Sequence, residues 1–286
     1  MGVACLSGAV DSAALTKGLG ALQDLGFDAV CAANLESEAG MFAGSDGERL
    51  SGFHELLEDE EIGAVFFARG GHGLVRVLDQ IDWDLLVRRP RWFVGYSDLT
   101  PLLMELVQRC GWQALHGPMV AVELADGIRS DEADSLLRAL GGEAPSRLDL
   151  TGVDGSWGGV QGPLVGGCLS MIASTLGTRW TVSTEGTVLF LEDVSEPLYR
   201  IDRMLQQLRL AGVLDGVKGI VLGSFQPPEG SRFEVEDLVQ SVREAAGVNV
   251  PLAWGCACGH GRPNLTLPLG AVATVAGGIL RFPDAD

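Results

Sequence analysis

A serine at the turn between a predicted strand and a predicted helix is the first candidate for chemistry in this sequence. The apolar, β-forming run at residues 92–94 stops at Gly95, and a helix-like run follows, so Ser97 falls at the junction. A serine on such a turn points its hydroxyl away from both elements, and the backbone N–H of Asp98 can face an oxyanion. Ser97 is therefore a candidate nucleophile. The alternative is an ordinary helix entrance with Thr100 as the N-cap.

A serine nucleophile needs a base to remove its proton, and the chain offers four histidines. His260 ranks first because it lies in a glycine-flanked loop after a predicted strand, where a side chain can be presented without joining a core. His116 ranks second, and its alternative is a structural role at a strand end. His54 lies on a predicted helix rich in acidic residues, and we interpret it as solvated.

The base in turn needs a carboxylate to orient it, and Glu192 is the strongest candidate among many acids. It ends a strongly apolar predicted strand at residues 187–193, so we expect it to be partly buried on a rigid element. The alternative is a solvated acid whose charge favours the start of the following helix. The sequence order of Ser97, Glu192 and His260 also occurs in α/β-hydrolases, although triads recur in several orders.

A glycine-rich loop at residues 69–73 could supply a second oxyanion donor. Three glycines in five residues allow the backbone to approach a ligand closely and to point N–H groups into one space. The alternative is a plain turn, and the loop lacks the spacing of nucleotide-binding glycine motifs. A histidine in such a loop, here His72, is more typical of a binding or surface residue than of a base.

Strands that alternate with helices predict a parallel α/β fold, in which sites lie beyond the carboxyl ends of the strands. The pattern predicts strands at residues 3–7, 27–31 and 62–68, and helices at 12–25, 47–60, 74–78, 101–109 and 130–140. The acidic first turn of the last of these helices, Asp131-Glu132, suits the helix dipole.

Composition changes between residues 141 and 167, where Gly, Pro and Ser accumulate and helical periodicity disappears. We predict a linker there, between an N-terminal domain at residues 1–140 and a C-terminal domain at residues 168–286. The C-terminal part predicts helices at 168–176, 198–211 and 235–246 with strands between them and a strand-rich end.

Composition restricts the class of protein. An apolar content of 47% and a charged content of 20% are typical of a globular protein, and the net charge of −18 disfavours nucleic acid and anionic membranes as partners. No charge-free apolar stretch is long enough to span a bilayer, and the N-terminus has no basic segment of the secretory type, so we expect a cytoplasmic protein. The six cysteines have no C-x-x-C spacing and are interpreted as free thiols.

Four motifs in one order resemble the LD-carboxypeptidase family, which includes muramoyltetrapeptide carboxypeptidases and microcin C self-immunity peptidases. The resemblance spans nearly the whole chain. The matching motifs are Gly95-Tyr96-Ser97-Asp98-Leu99-Thr100, Arg69-Gly70-Gly71-His72-Gly73, Leu191-Glu192-Asp193 with Pro197-Leu198-Tyr199-Arg200-Ile201-Asp202-Arg203-Met204-Leu205, and Gly259-His260 with Pro263-Asn264-Leu265-Thr266-Leu267-Pro268-Leu269-Gly270.

The resemblance implies a two-domain serine peptidase of peptidoglycan recycling that uses no metal or other cofactor and forms a homodimer. The N-terminal parallel-sheet domain would resemble class I glutamine amidotransferases and carry the nucleophile Ser97. A smaller, β-rich α/β C-terminal domain would supply Glu192 and His260. The oxyanion donors would be the N–H groups of Asp98 and Gly71. The reaction would be hydrolysis of an amide next to a free carboxylate, classically an L-to-D bond in a muropeptide.

Substrate contacts and substrate identity stay open at this point. Arg69 and His72 are candidate substrate-binding residues, and Arg69 has the charge to bind a terminal carboxylate. The chain departs from the family where it has Leu6-Ser7-Gly8 instead of a Pro-Ser loop, His72 instead of Tyr, and Cys168 instead of Asn. The alternatives are a peptidase that cleaves a peptidyl-nucleotide antibiotic and a catalytically idle protein that binds cell-wall peptides.

Overall fold

The computed structural model describes residues 1–143 and 148–282. Eight α-helices occur in the described residues. In chain order they are α1 (Ser12–Asp24), α2 (Asp46–Glu58), α3 (Trp83–Arg88), α4 (Thr100–Gln108), α5 (Ser130–Leu140), α6 (Leu169–Ser174), α7 (Leu198–Leu210) and α8 (Val235–Ala246).

Fourteen strands occur in the described residues, besides short 3₁₀ turns and a π-helical segment at Val120–Leu124. They are β1 (Gly2–Ala4), β2 (Val30–Cys31), β3 (Ala64–Phe67), β4 (Trp92–Gly95), β5 (Ala114–His116), β6 (Leu148–Asp149), β7 (Gly152–Asp154), β8 (Gln161–Cys168), β9 (Val188–Val194), β10 (Gly219–Gln226), β11 (Leu252–Trp254), β12 (Leu267–Leu269), β13 (Val272–Ala276) and β14 (Ile279–Arg281).

The first sheet has the strand order β12-β5-β4-β3-β1-β2. Strands β1 to β5 pair in parallel, as the alternation of strands and helices predicts. All four residues of β3 are buried, which is why this strand reads as a continuous apolar run rather than an alternating one. The α/β class is confirmed. The carboxyl ends of β3 and β4 lead into the glycine loop and into Ser97.

The second sheet is mixed and has the order β6-β14-β13-β8-β9-β10-β11-β7. Its centre, β8 to β11, is parallel, and antiparallel strands extend it on both sides. Glu192 lies near the carboxyl end of β9, directly opposite Cys168 in the register with β8. The parallel centre therefore brings a second set of strand ends to the edge where the candidate residues lie.

The predicted linker at residues 141–167 requires correction. Strands β6, β7 and most of β8 fall inside it, and β8 is a central strand of the second sheet. The glycines that suggested a linker instead allow close packing, since a Cβ on Gly166 would lie 2.0 Å from the carbonyl oxygen of Phe190. Part of the predicted linker, residues 144–147, lies outside the described residues.

The C-terminal part of the chain also returns to the first sheet. Strand β12 pairs antiparallel with β5, with Leu267 opposite His116. This strand follows the loop that carries His260, so the predicted base is attached at one end to the first sheet and at the other to the second. The proposed domain boundaries at 140 and 168 therefore describe the order of the chain rather than two separate sheets.

Two smaller expectations differ from the structure. The predicted helix at residues 74–78 is a pair of 3₁₀ turns, Leu74–Arg76 and Leu78–Gln80. Thr100 is the first residue of α4, and Leu99 rather than Thr100 is the N-cap; the Thr100 hydroxyl donates to the carbonyl of Ser97 at 2.7 Å. Within the described residues, no helix combines the length and the apolar character that crossing a bilayer requires.

Candidate active site

Ser97 lies on a strained turn between β4 and α4. Its φ angle is +66°, in the left-handed region that residues other than glycine seldom adopt. A short 3₁₀ turn, Ser97–Leu99, continues directly into the helix. The turn predicted from the sequence is therefore present, and its geometry holds the hydroxyl at the carboxyl end of the parallel sheet.

His260 connects Ser97 to Glu192. Its Nε2 lies 3.1 Å from the Ser97 Oγ, and its Nδ1 lies 2.7 Å from the Glu192 Oε2. Because an ionised carboxylate only accepts hydrogen bonds, Nδ1 carries the proton and the Nε2 lone pair faces the serine hydroxyl. The structure thus brings together the three residues that the sequence assigned as nucleophile, base and acid, over separations of 163 and 68 residues along the chain.

The surroundings of His260 favour its charged form. Burial opposes protonation, but the hydrogen bond and the charge of Glu192 outweigh it and raise the pKa of His260 above its ordinary value of 6.5. Asp193 and Glu123 act in the same direction. Glu192 is fully buried, and its Oε2 also accepts the backbone N–H of His260 at 3.2 Å. The arrangement stabilises an imidazolium, which is what a base requires after it takes the serine proton.

Gly259 allows this close contact. Its φ angle is +108°, and a Cβ at this position would lie 2.6 Å from the Glu192 Oε2. A side chain here would push the carboxylate away from the imidazole. The glycine before His260 is therefore a packing requirement of the acid and base pair.

The space beside the Ser97 hydroxyl is bounded by Gly70 and by the backbone of Asp98. A Cβ on Gly70 would lie 3.0 Å from the Ser97 Oγ and 3.4 Å from the Asp98 nitrogen. The Asp98 carboxylate points elsewhere, and its Oδ2 accepts the N–H of Leu74 at 2.9 Å. The Asp98 N–H as oxyanion donor stays a prediction, and Gly70 is a contact of Ser97 that sequence reasoning had not singled out.

The other residues predicted from the glycine loop lie around this space. Gly71 has a φ angle of +110° and packs against Gly8, and its N–H as second oxyanion donor stays a prediction. The Arg69 guanidinium donates to the carbonyl of Ala9 at 2.9 Å, which ties the glycine loop to the loop after β1. His72 is exposed, with its ring 5.9 Å from that of Phe42. Substrate binding by Arg69 and His72 stays a prediction.

His116, the second-ranked base, is fully buried below the site. Burial, with a smaller contribution from His260, lowers the pKa of His116 to about 3, so the ring is neutral. Neither ring nitrogen has a hydrogen-bond partner within the described chain, and the ring packs between Tyr96 and Phe190. His54 is half-buried rather than solvated, and its Nε2 accepts the N–H of Asp82 at 3.1 Å.

We expect the His116→Phe variant to keep activity within about threefold of wild type, because a neutral ring that packs without hydrogen bonds can be replaced by another ring of similar volume. Initial rates of peptide hydrolysis, with a thermal melt to verify folding, measure this. A loss comparable to that of His260→Ala would mean that His116 takes part in the chemistry.

Cys168, one of the positions predicted to depart from the family pattern, lies across from Glu192. Its Sγ is 3.2 Å from the Ser170 Oγ, and its backbone N–H donates to the Thr100 Oγ1 at 3.1 Å. Burial and the charges of Glu192 and Asp193 raise the pKa of the thiol well above its ordinary value, so Cys168 is neutral. Burial also raises the pKa of Asp193, which accepts the N–H of Ser170 at 2.7 Å.

Sequence reasoning missed a polar layer next to His260. The Tyr96 ring contacts the His260 ring edge-on at 4.8 Å, and the Tyr96 hydroxyl donates to Glu123 at 2.6 Å. Glu123 also accepts the side-chain N–H of Asn264 at 3.2 Å. A signal was present in the sequence, because Glu123 is the lone acid in the apolar run at residues 119–125.

Two family models match the chain. The LD-carboxypeptidase N-terminal domain matches residues 1–117, and the LD-carboxypeptidase C-terminal domain matches residues 161–275. A probable murein peptide carboxypeptidase from Bacillus subtilis is 34% identical over 265 residues, which cover 89% of this chain and 81% of that protein. The microcin C7 self-immunity protein MccF from Escherichia coli is 27% identical over 260 residues, which cover 80% of this chain and 75% of that protein.

Among solved structures, the muramoyltetrapeptide carboxypeptidase from Oxalobacter formigenes superposes with a TM-score of 0.88 at 27% identity. The superposition covers 100% of this chain and 98% of that one. The fold of the described residues is thus that of a solved carboxypeptidase over its whole length.

Proposed function

Because the chain belongs to the LD-carboxypeptidase family, we propose that it is a serine peptidase that hydrolyses the L-to-D amide bond next to the free carboxylate of a muropeptide tetrapeptide. The observation that carries the proposal is the continuous contact from the Ser97 Oγ through His260 to Glu192, at 3.1 and 2.7 Å. Covalent catalysis needs a nucleophile and a base within hydrogen-bond reach of each other, and a third group that orients the base.

The reaction proceeds through an acyl-enzyme. His260 takes the Ser97 proton on Nε2 as Oγ attacks the carbonyl carbon, and Glu192 stabilises the imidazolium through Nδ1. The N–H groups of Asp98 and Gly71 bind the oxyanion. The C–N bond then breaks, and His260 gives its proton to the leaving amine. A water molecule, activated by the same imidazole, releases the peptide acid and regenerates Ser97.

The test is release of the terminal D-amino acid from a synthetic LD-tetrapeptide, followed by mass spectrometry. The matched controls are the same peptide with an L-residue at the terminus and the same peptide with an amidated terminus. We expect release from the first peptide alone. Cleavage of all three at equal rates would contradict recognition of the D-residue and the free carboxylate.

A peptidyl-nucleotide substrate is the second candidate, favoured by the similarity to the MccF self-immunity protein and by Cys168, at a position where the resemblance to the family implies Asn. An Asn side chain offers a donor and an acceptor that a neutral thiol only weakly replaces, so substrate preference need not follow the muropeptide enzymes. Comparing kcat/KM for an LD-tetrapeptide and an aminoacyl-nucleotide decides between the two.

A catalytically idle peptide-binding protein is the third alternative, and a fluorophosphonate probe separates it from an enzyme. An active Ser97 becomes covalently labelled, whereas an idle protein binds the tetrapeptide without labelling.

We also propose that the protein acts in the cytoplasm, where muropeptides are recycled. It acts as a homodimer, and Arg69 and His72 contact the substrate. Sedimentation equilibrium tests the dimer.

A further inference from the structure

The loop that carries His260, residues 259–264, is attached to both halves of the molecule, the half that contains the second sheet and the N-terminal half that contains Ser97 and α5. We refer to it as the His260 loop. On the side of the second sheet, the N–H of Gly261 donates to the Ser224 Oγ at 2.8 Å. On the other side, the N–H of Asn264 donates to the Glu132 Oε1 at 2.8 Å, and the Arg262 guanidinium donates to the Glu132 Oε2 at 2.7 Å. The charged contacts are thus made to α5, outside the second sheet.

Glu132 accepts three hydrogen bonds in a fully buried position. Besides Asn264 and Arg262, it accepts the backbone N–H of Arg129 at 2.9 Å, which closes the first turn of α5. The acidic first turn that suited the helix dipole therefore also binds a distant loop. A buried carboxylate with all its partners in place fixes their geometry, because loss of one partner leaves charge uncompensated.

Glu123 holds the same loop from a second direction. The Asn264 side chain donates to Glu123 at 3.2 Å, while its Oδ1 accepts the N–H of Gly259 at 2.9 Å. Asn264 is itself fully buried. A single amide thus connects a carboxylate to the residue before His260, and it does so from the far end of the loop.

The segment that carries Glu123 is fixed to the first sheet. The N–H of Ala121 donates to the carbonyl of Ala68 at 2.8 Å, at the end of β3. Gly18 of α1 packs so closely on the carbonyl of Val120 that a Cβ there would overlap it. Glu123 also binds the hydroxyl of Tyr96, the residue before the nucleophile. Glu123 therefore connects the His260 loop to the segment that carries Ser97.

We propose that Glu123 and Glu132 are positioning residues, which hold the His260 loop against the Ser97 half of the molecule so that base and nucleophile meet. Both lie between the ranges matched by the two family models, the first of which ends at residue 117 and the second of which begins at residue 161. Their catalytic consequence rests on the proposed function. Glu192 orients the imidazole within its own half, whereas these two carboxylates set the distance between the halves.

The decisive variant is Glu132→Gln, with Asp134→Asn as the matched control on the exposed side of α5. A glutamine offers one acceptor oxygen where the carboxylate binds three N–H groups with two. We expect about 10²-fold slower labelling of Ser97 by a fluorophosphonate probe, since a misplacement of about 1 Å has this effect. The final labelled fraction stays complete, which a merely unfolding variant would not show. Asp134→Asn labels at the wild-type rate.

Hydrogen exchange of the peptide that contains residues 259–264 tests the hold on the loop without any chemistry. We expect faster exchange in Glu132→Gln than in wild type and in Asp134→Asn. Wild-type exchange together with a wild-type labelling rate would overturn the proposal while leaving Ser97 as nucleophile. A wild-type protein that never labels would instead show that the proposed serine chemistry has failed, and the catalytic role of the two carboxylates with it.

A second variant covers the case in which Glu132→Gln does not fold. Arg262→Gln removes the loop side of the same contact at a side chain that is 34% exposed, where water can solvate the position that the guanidinium leaves, and a thermal melt verifies that the variant is folded. We expect slower labelling of Ser97, by about tenfold, and faster hydrogen exchange of residues 259–264, both smaller changes than in Glu132→Gln. An unchanged rate and unchanged exchange in this variant would also overturn the proposal.

Discussion

Replacing Ser97 by alanine is expected to lower the hydrolysis of the LD-tetrapeptide by about 10⁵-fold, because the acyl-enzyme cannot form without the hydroxyl. The remaining rate would come from substrate binding and from the oxyanion donors alone. Initial rates with the purified variant measure this, and loss of fluorophosphonate labelling confirms that no other serine reacts. Hydrolysis by Ser97→Ala at the wild-type rate would exclude Ser97 as the nucleophile.

Ser97→Gly is the control that separates strain from chemistry. The φ angle of +66° is unfavourable for alanine and for serine, whereas glycine adopts it freely. Both variants should be inactive, but the glycine variant should be more stable to unfolding than the alanine variant by about 1 kcal/mol. Urea denaturation of the two variants measures the difference. An alanine variant as stable as the glycine variant would mean that the turn carries no strain.

The parts of the site that follow from local pattern were visible in the sequence. A strand that stops at a glycine before a helix predicts the turn at Ser97, and the apolar strand before Glu192 predicts a buried acid. The glycine-flanked position of His260 predicts a presented side chain. Each of these inferences concerns one residue and the elements next to it, where periodicity and turn chemistry are informative.

Contacts that depend on the meeting of distant segments were not visible. Gly70 and Gly71 look alike in the glycine loop, and only the packing of that loop on the β4 turn makes Gly70 the neighbour of Ser97. From the sequence, Glu132 is a residue that complements a helix dipole. Its second role, in binding the His260 loop, was not visible because it depends on Arg262, 130 residues further along the chain. Single-residue chemistry cannot reveal such a partner.

The predicted linker failed for a related reason. Glycines in β8 read as breakers in isolation, yet in the second sheet they allow neighbouring backbones to approach. Propensity describes a residue in an average surrounding, whereas β8 lies between β13 and β9 at the centre of a mixed sheet. The position of β8 also sets Cys168 opposite Glu192. The misread segment therefore contributes directly to the site.

Glu192→Gln is expected to lower kcat by about 10⁴-fold, the scale on which neutral replacement of the triad acid acts in serine proteases. If the amide nitrogen of the introduced glutamine faced Nδ1, the imidazole proton would move to Nε2, where it cannot accept the serine proton. If the amide oxygen faced Nδ1, the NH₂ group would take the place of the Glu192 Oε1, which is buried and has no hydrogen-bond partner among the described residues. Both orientations impair the base.

Glu192→Gln is also expected to change how kcat/KM depends on pH. In the proposed mechanism neutral His260 is the active form, so wild-type kcat/KM should rise with pH through an apparent pKa above 6.5, because burial is outweighed by Glu192 together with Asp193 and Glu123, which raise that pKa. Without the Glu192 charge, burial dominates and the acidic limb moves to lower pH. Glu196→Gln, which neutralises a half-buried acid paired with Arg200, is the matched control and should leave the limb in place. An acidic limb that does not move in Glu192→Gln would mean that another group governs the pH dependence.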